Sequence, residues 1–130
     1  MTASSETRRR PKKTLDYSVS ATWTEDEQNV LSETWQLNGL LHRLHGPALT
    51  EWSERTGNTI FETWFLDGQE HRDDGPAIIE YDEFDSRRVT TEIWKQNGQL
   101  HRKGGPAIVE YGETGNVALE EWWLHGQRLR

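Results

Sequence analysis

Nearly one motif, written three times and begun a fourth, restricts this chain more than any other feature. The segments ETWQLNGLLHRLHGPALTEW (33–52), ETWFLDGQEHRDDGPAIIEY (62–81), EIWKQNGQLHRKGGPAIVEY (92–111) and EEWWLHGQRLR (120–130) align without gaps. Their tryptophans, Trp35, Trp64, Trp94 and Trp122, stand 29, 30 and 28 residues apart. A degenerate leading half, VSATWTEDEQNVLSETW (19–35), places Trp23 where later units have Trp52, Tyr81 and Tyr111. A repeat of this length cannot bury its own apolar face and must stack on its neighbours, with atypical units closing the ends.

Within a unit the period is two. In AIVEY, Ala107, Val109 and Tyr111 share one face and Ile108 and Glu110 the other, which is strand patterning. Asn38-Gly39, Asp67-Gly68 and Asn97-Gly98 are the pairs that a two-residue type I′ turn selects, since both of its central positions need positive φ. His125-Gly126 is a weaker copy, and TGN at 56–58 and 114–116 marks a second hairpin loop. The fold class expected is all-β: an antiparallel meander of three to four stacked hairpin repeats of about 29 residues, three short strands each, forming a curved, elongated sheet.

Closing the hairpin on Asn97-Gly98 sets Lys95 against Leu100 and Trp94 against His101, and likewise Trp35 against His42 and Trp64 against His71. Two residues before each tryptophan, on the same face, comes a glutamate: Glu33, Glu62, Glu92 or Glu120. Trp122 completes the row. The expectation is a structural layer in which histidines stack on tryptophans and bond to these glutamates, with Ala48, Ala77 and Ala107 leaving room for the indoles. Alternation sends Arg43, Arg72, Arg102 and Arg130 to the opposite face, with Glu51, Glu80 and Glu110. There they form either solvated Arg–Glu pairs of little energetic weight or a regular ladder that grips an extended partner. Arg43, Arg72, Arg102, Glu51, Glu80 and Glu110 are therefore the candidate partner-binding residues.

Other chemistry finds little footing. One histidine per unit does not gather ligands about a point, and His45 in HRLH is the only extra histidine near a repeat histidine, so no metal is expected. Asp73-Asp74 reads as a solvated turn. With no Ser/His/Asp set and no glycine-rich phosphate loop, no catalytic residue and no cofactor are expected. Cysteine is absent, which removes disulfides. No apolar run approaches the ~20 residues of a membrane span, so the chain is expected to be soluble and cytoplasmic, without membrane partners.

The net charge of −7 is unevenly divided. Residues 1–13 hold Arg8, Arg9, Arg10, Lys12 and Lys13 against Glu6, a charge of +4 that leaves −11 for the rest. Residues 1–14 are expected to be a disordered basic tail and 15–130 the β-repeat domain. An acidic body calls for a basic protein partner. The alternative is a nucleic-acid-associated protein whose basic arm neutralises phosphates, against which five basic residues stand before a repelling domain. The unprotected edges of an open sheet also invite pairing between chains.

The unit W-x-x-[NDQ]-G-x-x-H-R-x-x-G-P-A resembles a variant of the MORN-type β-hairpin repeat with an HR-x-x-GPA signature, over residues 17–130. The resemblance implies an elongated, curved antiparallel sheet acting as an interaction scaffold, some members being labelled antitoxins, and the acidic body adds a phage-encoded inhibitor as the expected kind. It points to an acidic, non-catalytic inhibitor of a nucleic-acid-processing partner. This chain departs from the standard unit in length and in placing His-Arg and Gly-Pro-Ala at its Tyr and Gly positions. Membrane contact is not carried over.

Overall fold

The computed structural model describes residues 16–130, so the expected basic tail lies outside the described residues. All described regular structure is β. The chain opens with β1 (Tyr17–Trp23). It continues through β2 (Val30–Leu37), β3 (Leu40–Leu41) and β4 (Leu49–Trp52), then β5 (Thr59–Thr63), β6 (Phe65–Leu66), β7 (Gln69–Glu70) and β8 (Ile78–Tyr81). The third unit supplies β9 (Val89–Ile93), β10 (Lys95–Gln96), β11 (Gln99–Leu100) and β12 (Ile108–Tyr111). The last gives β13 (Val117–Glu121), β14 (Trp123–Leu124) and β15 (Gln127–Arg128).

The long strands make one antiparallel meander in the order β1-β2-β4-β5-β8-β9-β12-β13, with β3 attached to β2. The short strands β6-β7, β10-β11 and β14-β15 form separate hairpins. These three and the β2-β3 hairpin turn on the dipeptides expected: Asn38, Asp67, Asn97 and His125 have φ between 47° and 52°, and the glycine after each has φ between 76° and 81°. Lys95 pairs with Leu100 and Gln96 with Gln99, as that turn requires.

Where three strands per unit were expected, the tryptophan-bearing strand is broken in the later units. The break falls at Trp64, Trp94 and Trp122, between long strand and short hairpin. The cause is the Gly-Pro reversal next door. On its far side Trp64 meets the preceding unit, where Ala48 N–H bonds Thr63 O at 2.9 Å but Ala48 follows Pro47, which has no N–H to continue the ladder. Trp35, which has β1 on that side, stays within an unbroken strand. The Trp64 carbonyl instead accepts His71 N–H of its own hairpin at 2.9 Å. Successive hairpins then join each other, with Arg43 N–H on Phe65 O (3.1 Å) and Gly68 N–H on Leu41 O (2.9 Å), repeated by Arg72 on Lys95 and Gly98 on Glu70.

At the other end, each strand of the AIVEY type carries the same β-bulge, at Thr22/Trp23, Glu51/Trp52, Glu80/Tyr81 and Glu110/Tyr111. Neighbouring loops are tied there by side chains. Glu83 accepts from Ser53 Oγ at 2.6 Å, and Arg88 bridges Asp82 (2.6 Å) to the Gly112 carbonyl (2.8 Å). The core is small: among the described residues, the buried apolar ones are Ala48, Ala77, Ala107 and Val109.

Candidate functional site

The repeated His-Arg-x-x-Gly-Pro loop closes over the tryptophan, and the residue that closes it is the arginine. Arg43, Arg72 and Arg102 each set their guanidinium carbon 3.9 Å from the ring centroid of Trp35, Trp64 and Trp94, and Arg130 lies 4.1 Å from that of Trp122. A planar cation on an indole face is held by the ring quadrupole. The fork is fixed further by Nη1 donating to the proline carbonyl four residues on, at 3.3, 3.2 and 3.1 Å for Pro47, Pro76 and Pro106. On its other side lies Gly46, Gly75 or Gly105. A Cβ on any of these would stand 2.7–2.8 Å from the guanidinium carbon. These glycines are needed for close approach, since none of the three has positive φ.

This corrects the expected face assignment. Arg43, Arg72, Arg102 and Arg130 are on the tryptophan side, and among the described residues none pairs with Glu51, Glu80 or Glu110. Strand alternation predicts a face only while the chain stays in the ladder, and the arginine is where it leaves. The candidate partner-binding set is thus split: its arginines are occupied within the fold, and its glutamates lie on the other face.

The histidines, expected to stack on tryptophan, serve instead as joints between units. His42 Nδ1 accepts Asp67 N–H at 3.0 Å, His71 Nδ1 accepts Asn97 N–H at 2.9 Å, and His101 Nδ1 accepts His125 N–H at 3.0 Å. Each ring therefore satisfies the first residue of the next unit's turn. An accepting Nδ1 puts the proton on Nε2, and in His71 that nitrogen meets Asp73 at 2.8 Å. Burial, with His125 and Lys103 nearby, pushes the His101 pKa down.

The glutamates divide by neighbour. Glu33 accepts the indole N–H of Trp35 at 2.7 Å. Glu62 accepts the Tyr81 hydroxyl instead, which, after burial, raises that phenol's pKa. Glu92 lies against Tyr111, whose pKa burial likewise raises, and the buried Trp94 Nε1 is left without a partner. Where a tyrosine ends the next strand it takes up the carboxylate; where Trp52 stands in that place, Glu33 accepts from Trp35. Glu120, on the outermost strand, is exposed, and there Glu121 takes up Trp123 Nε1 at 3.0 Å.

On the face away from the arginines, one row crosses the sheet as Leu49, Thr63, Ile78, Ile93 and Ile108. Two residues along each strand lies a second row, Glu51, Phe61, Glu80, Thr91 and Glu110. Thr63 is buried, and the other four members of the first row are partly exposed. Among the described residues, no three His, Asp or Glu side chains are arranged to hold a metal ion, and no helix is long and apolar enough to cross a membrane. The basic residues Arg8, Arg9, Arg10, Lys12 and Lys13 lie outside the described residues. Comparison with protein-family models, curated proteins and solved structures finds no match in any of the three.

Proposed function

We propose that this chain is a non-catalytic, protein-binding repeat module that recognises its partner through the sheet face bearing Leu49, Ile78, Ile93 and Ile108 beside Glu51, Glu80 and Glu110. The observation that carries the reading is the pairing of those two rows. Ile78, Ile93 and Ile108 on adjacent strands, about 4.8 Å apart, with Leu49 beyond Thr63, form a stripe bordered by carboxylates on every second strand. Among the described residues no further layer of regular structure packs on it. An apolar strip edged with acid complements a partner surface of apolar residues ringed by lysine and arginine. The nucleic-acid groove of another protein has that chemistry, and occupying it would make the chain an acidic inhibitor of the antitoxin kind, a MORN-like scaffold turned to blocking.

The test is affinity capture from the source cell with three baits: the full chain, the chain without residues 1–13, and Glu51→Lys/Glu80→Lys/Glu110→Lys. The first two should retain the same basic protein and the third should lose it. Capture of nucleic acid that disappears with residues 1–13, and is untouched by the lysines, would replace this reading with the basic-arm alternative.

A further inference from the structure

Strand β1 is an edge that, among the described residues, no further strand covers. Its seven residues, YSVSATW, are all exposed and contain no charge and no proline. Edge strands are ordinarily defended by one or the other. The opposite edge is so defended, since β13 carries Glu120 and Glu121. The outward-facing donors of β1 follow from its pairing. Trp35 N–H is spent on Ala48, on the far side of β2. Its β1 neighbour Val19 therefore points N–H and C=O away from β2, and Ala21, two residues on, does the same. On the face shared with Trp35 this strand also shows Tyr17, Val19 and Trp23, 58%, 53% and 52% exposed.

We propose that β1 pairs with β1 of a second copy, antiparallel about a two-fold axis at Ser20, joining the two sheets into one. In that register Val19 and Ala21 of one copy exchange hydrogen bonds with Ala21 and Val19 of the other, and all seven residues find partners. Tyr17 falls opposite Trp23, so an aromatic pair closes each end of the seam. A second copy is favoured as occupant because the strand complements itself: uncharged throughout, it sets small side chains against each other at Val19–Ala21 and aromatic ones at Tyr17–Trp23. The same operation on β13, about Leu119, would set Glu120 and Glu121 opposite Ala118 and Val117, leaving carboxylates without partners in the seam. This contact uses the edge of the sheet, leaves the acidic face free, and stands independently of the function proposed for that face.

The chain has no cysteine, so single thiols report the register. Ser20 meets its own copy in a non-hydrogen-bonded pair, the closer kind. Ser20→Cys should oxidise to a disulfide dimer. Ser18→Cys and Thr22→Cys should each fail alone and cross-link when mixed. By light scattering on a sizing column, the full chain should run at about twice its 15.2 kDa mass. Ala21→Pro, which removes an outward N–H and no bond to β2, should return it to monomer with an unchanged circular dichroism spectrum, and Leu119→Lys on β13 should leave it dimeric. A monomeric wild type, or a dimer lost by Leu119→Lys and kept by Ala21→Pro, would overturn the proposal.

Discussion

Replacing Arg72 and Gly75, singly and together, tests the sandwich that organises each repeat. Arg72→Ala removes a guanidinium 3.9 Å from the Trp64 centroid and a charged hydrogen bond of 3.2 Å to Pro76 O. The side chain is 23% exposed, so both interactions are partly shielded from water. A cation–π contact of about 1 kcal/mol and a charge-assisted hydrogen bond of about 1.5 give a cost of about 2–3 kcal/mol. Gly75→Ala places a methyl 2.7 Å from Cζ and 2.8 Å from Nε of Arg72, and overpacking of that kind costs about 1–3 kcal/mol. In the double variant the methyl enters space the guanidinium has left. The two costs should then fall short of additivity by about 1 kcal/mol or more. Gly104→Ala is the control, since a Cβ there meets nothing within 4 Å and only its φ of +76° is strained. Urea unfolding followed by tryptophan fluorescence and far-ultraviolet circular dichroism measures all four. A cycle additive to within about 0.5 kcal/mol would mean that arginine and glycine do not touch, and the account of the motif would fail.

The depressed pKa of His101 makes its neutral ring part of the folded state, so its contribution is complete above the ordinary histidine pKa and is lost as pH falls through the depressed folded value. The urea midpoint should drop from about pH 7 to pH 5, and His101→Gln should flatten that slope. Trp35→Phe should cost about 1 kcal/mol more than Trp94→Phe in the same melts, because the first loses an indole bond to Glu33 and the second removes a buried N–H that has no partner. Tyr81 and Tyr111, both raised, should ionise later than a free phenol in an alkaline absorbance titration. Stability should decline as pH rises past about 10, where only the unfolded chain releases those protons, and Tyr81→Phe should remove part of that decline.

Much of the meander was legible because two independent signals agree. The Asn-Gly and Asp-Gly turns fix which residues face each other, and the period of two fixes which side they share, so Lys95 opposite Leu100 follows from the letters alone. The arginine was misplaced because that parity was carried one residue past its range. His71 is the last residue whose N–H bonds within its own hairpin; Arg72 begins the reversal, and its length lets it curl back over Trp64. A signal was present in the repeats themselves. Between Arg and Gly the residues vary freely, Leu-His, Asp-Asp and Lys-Gly, yet glycine precedes proline in all three copies without a positive φ to require it. A glycine fixed for closeness implies something large against it, and the equally fixed arginine was the candidate. The division of glutamates between Trp and Tyr was out of reach, since it depends on which of two donors lies nearer.

A sheet of this kind has an energetic consequence that bears on its use. Among the described residues no large side chain is fully buried, and the buried apolar residues are three alanines and a valine. Stability must then come from partial burial repeated unit by unit, each tryptophan covered by its own arginine and each histidine closed by the turn that follows. Such nearest-neighbour terms add along the array. They weaken at the ends, where one neighbour is missing: Trp23 is 52% and Leu119 36% exposed. The cladding also consumes one face of the sheet, which removes the arginines from any role in recognition while they remain folded. What the array leaves open is the aliphatic stripe with its carboxylate border and the bare edge at β1. A partner on the first would add to every unit it crosses, and a second copy on the second would supply the neighbour that the first unit lacks.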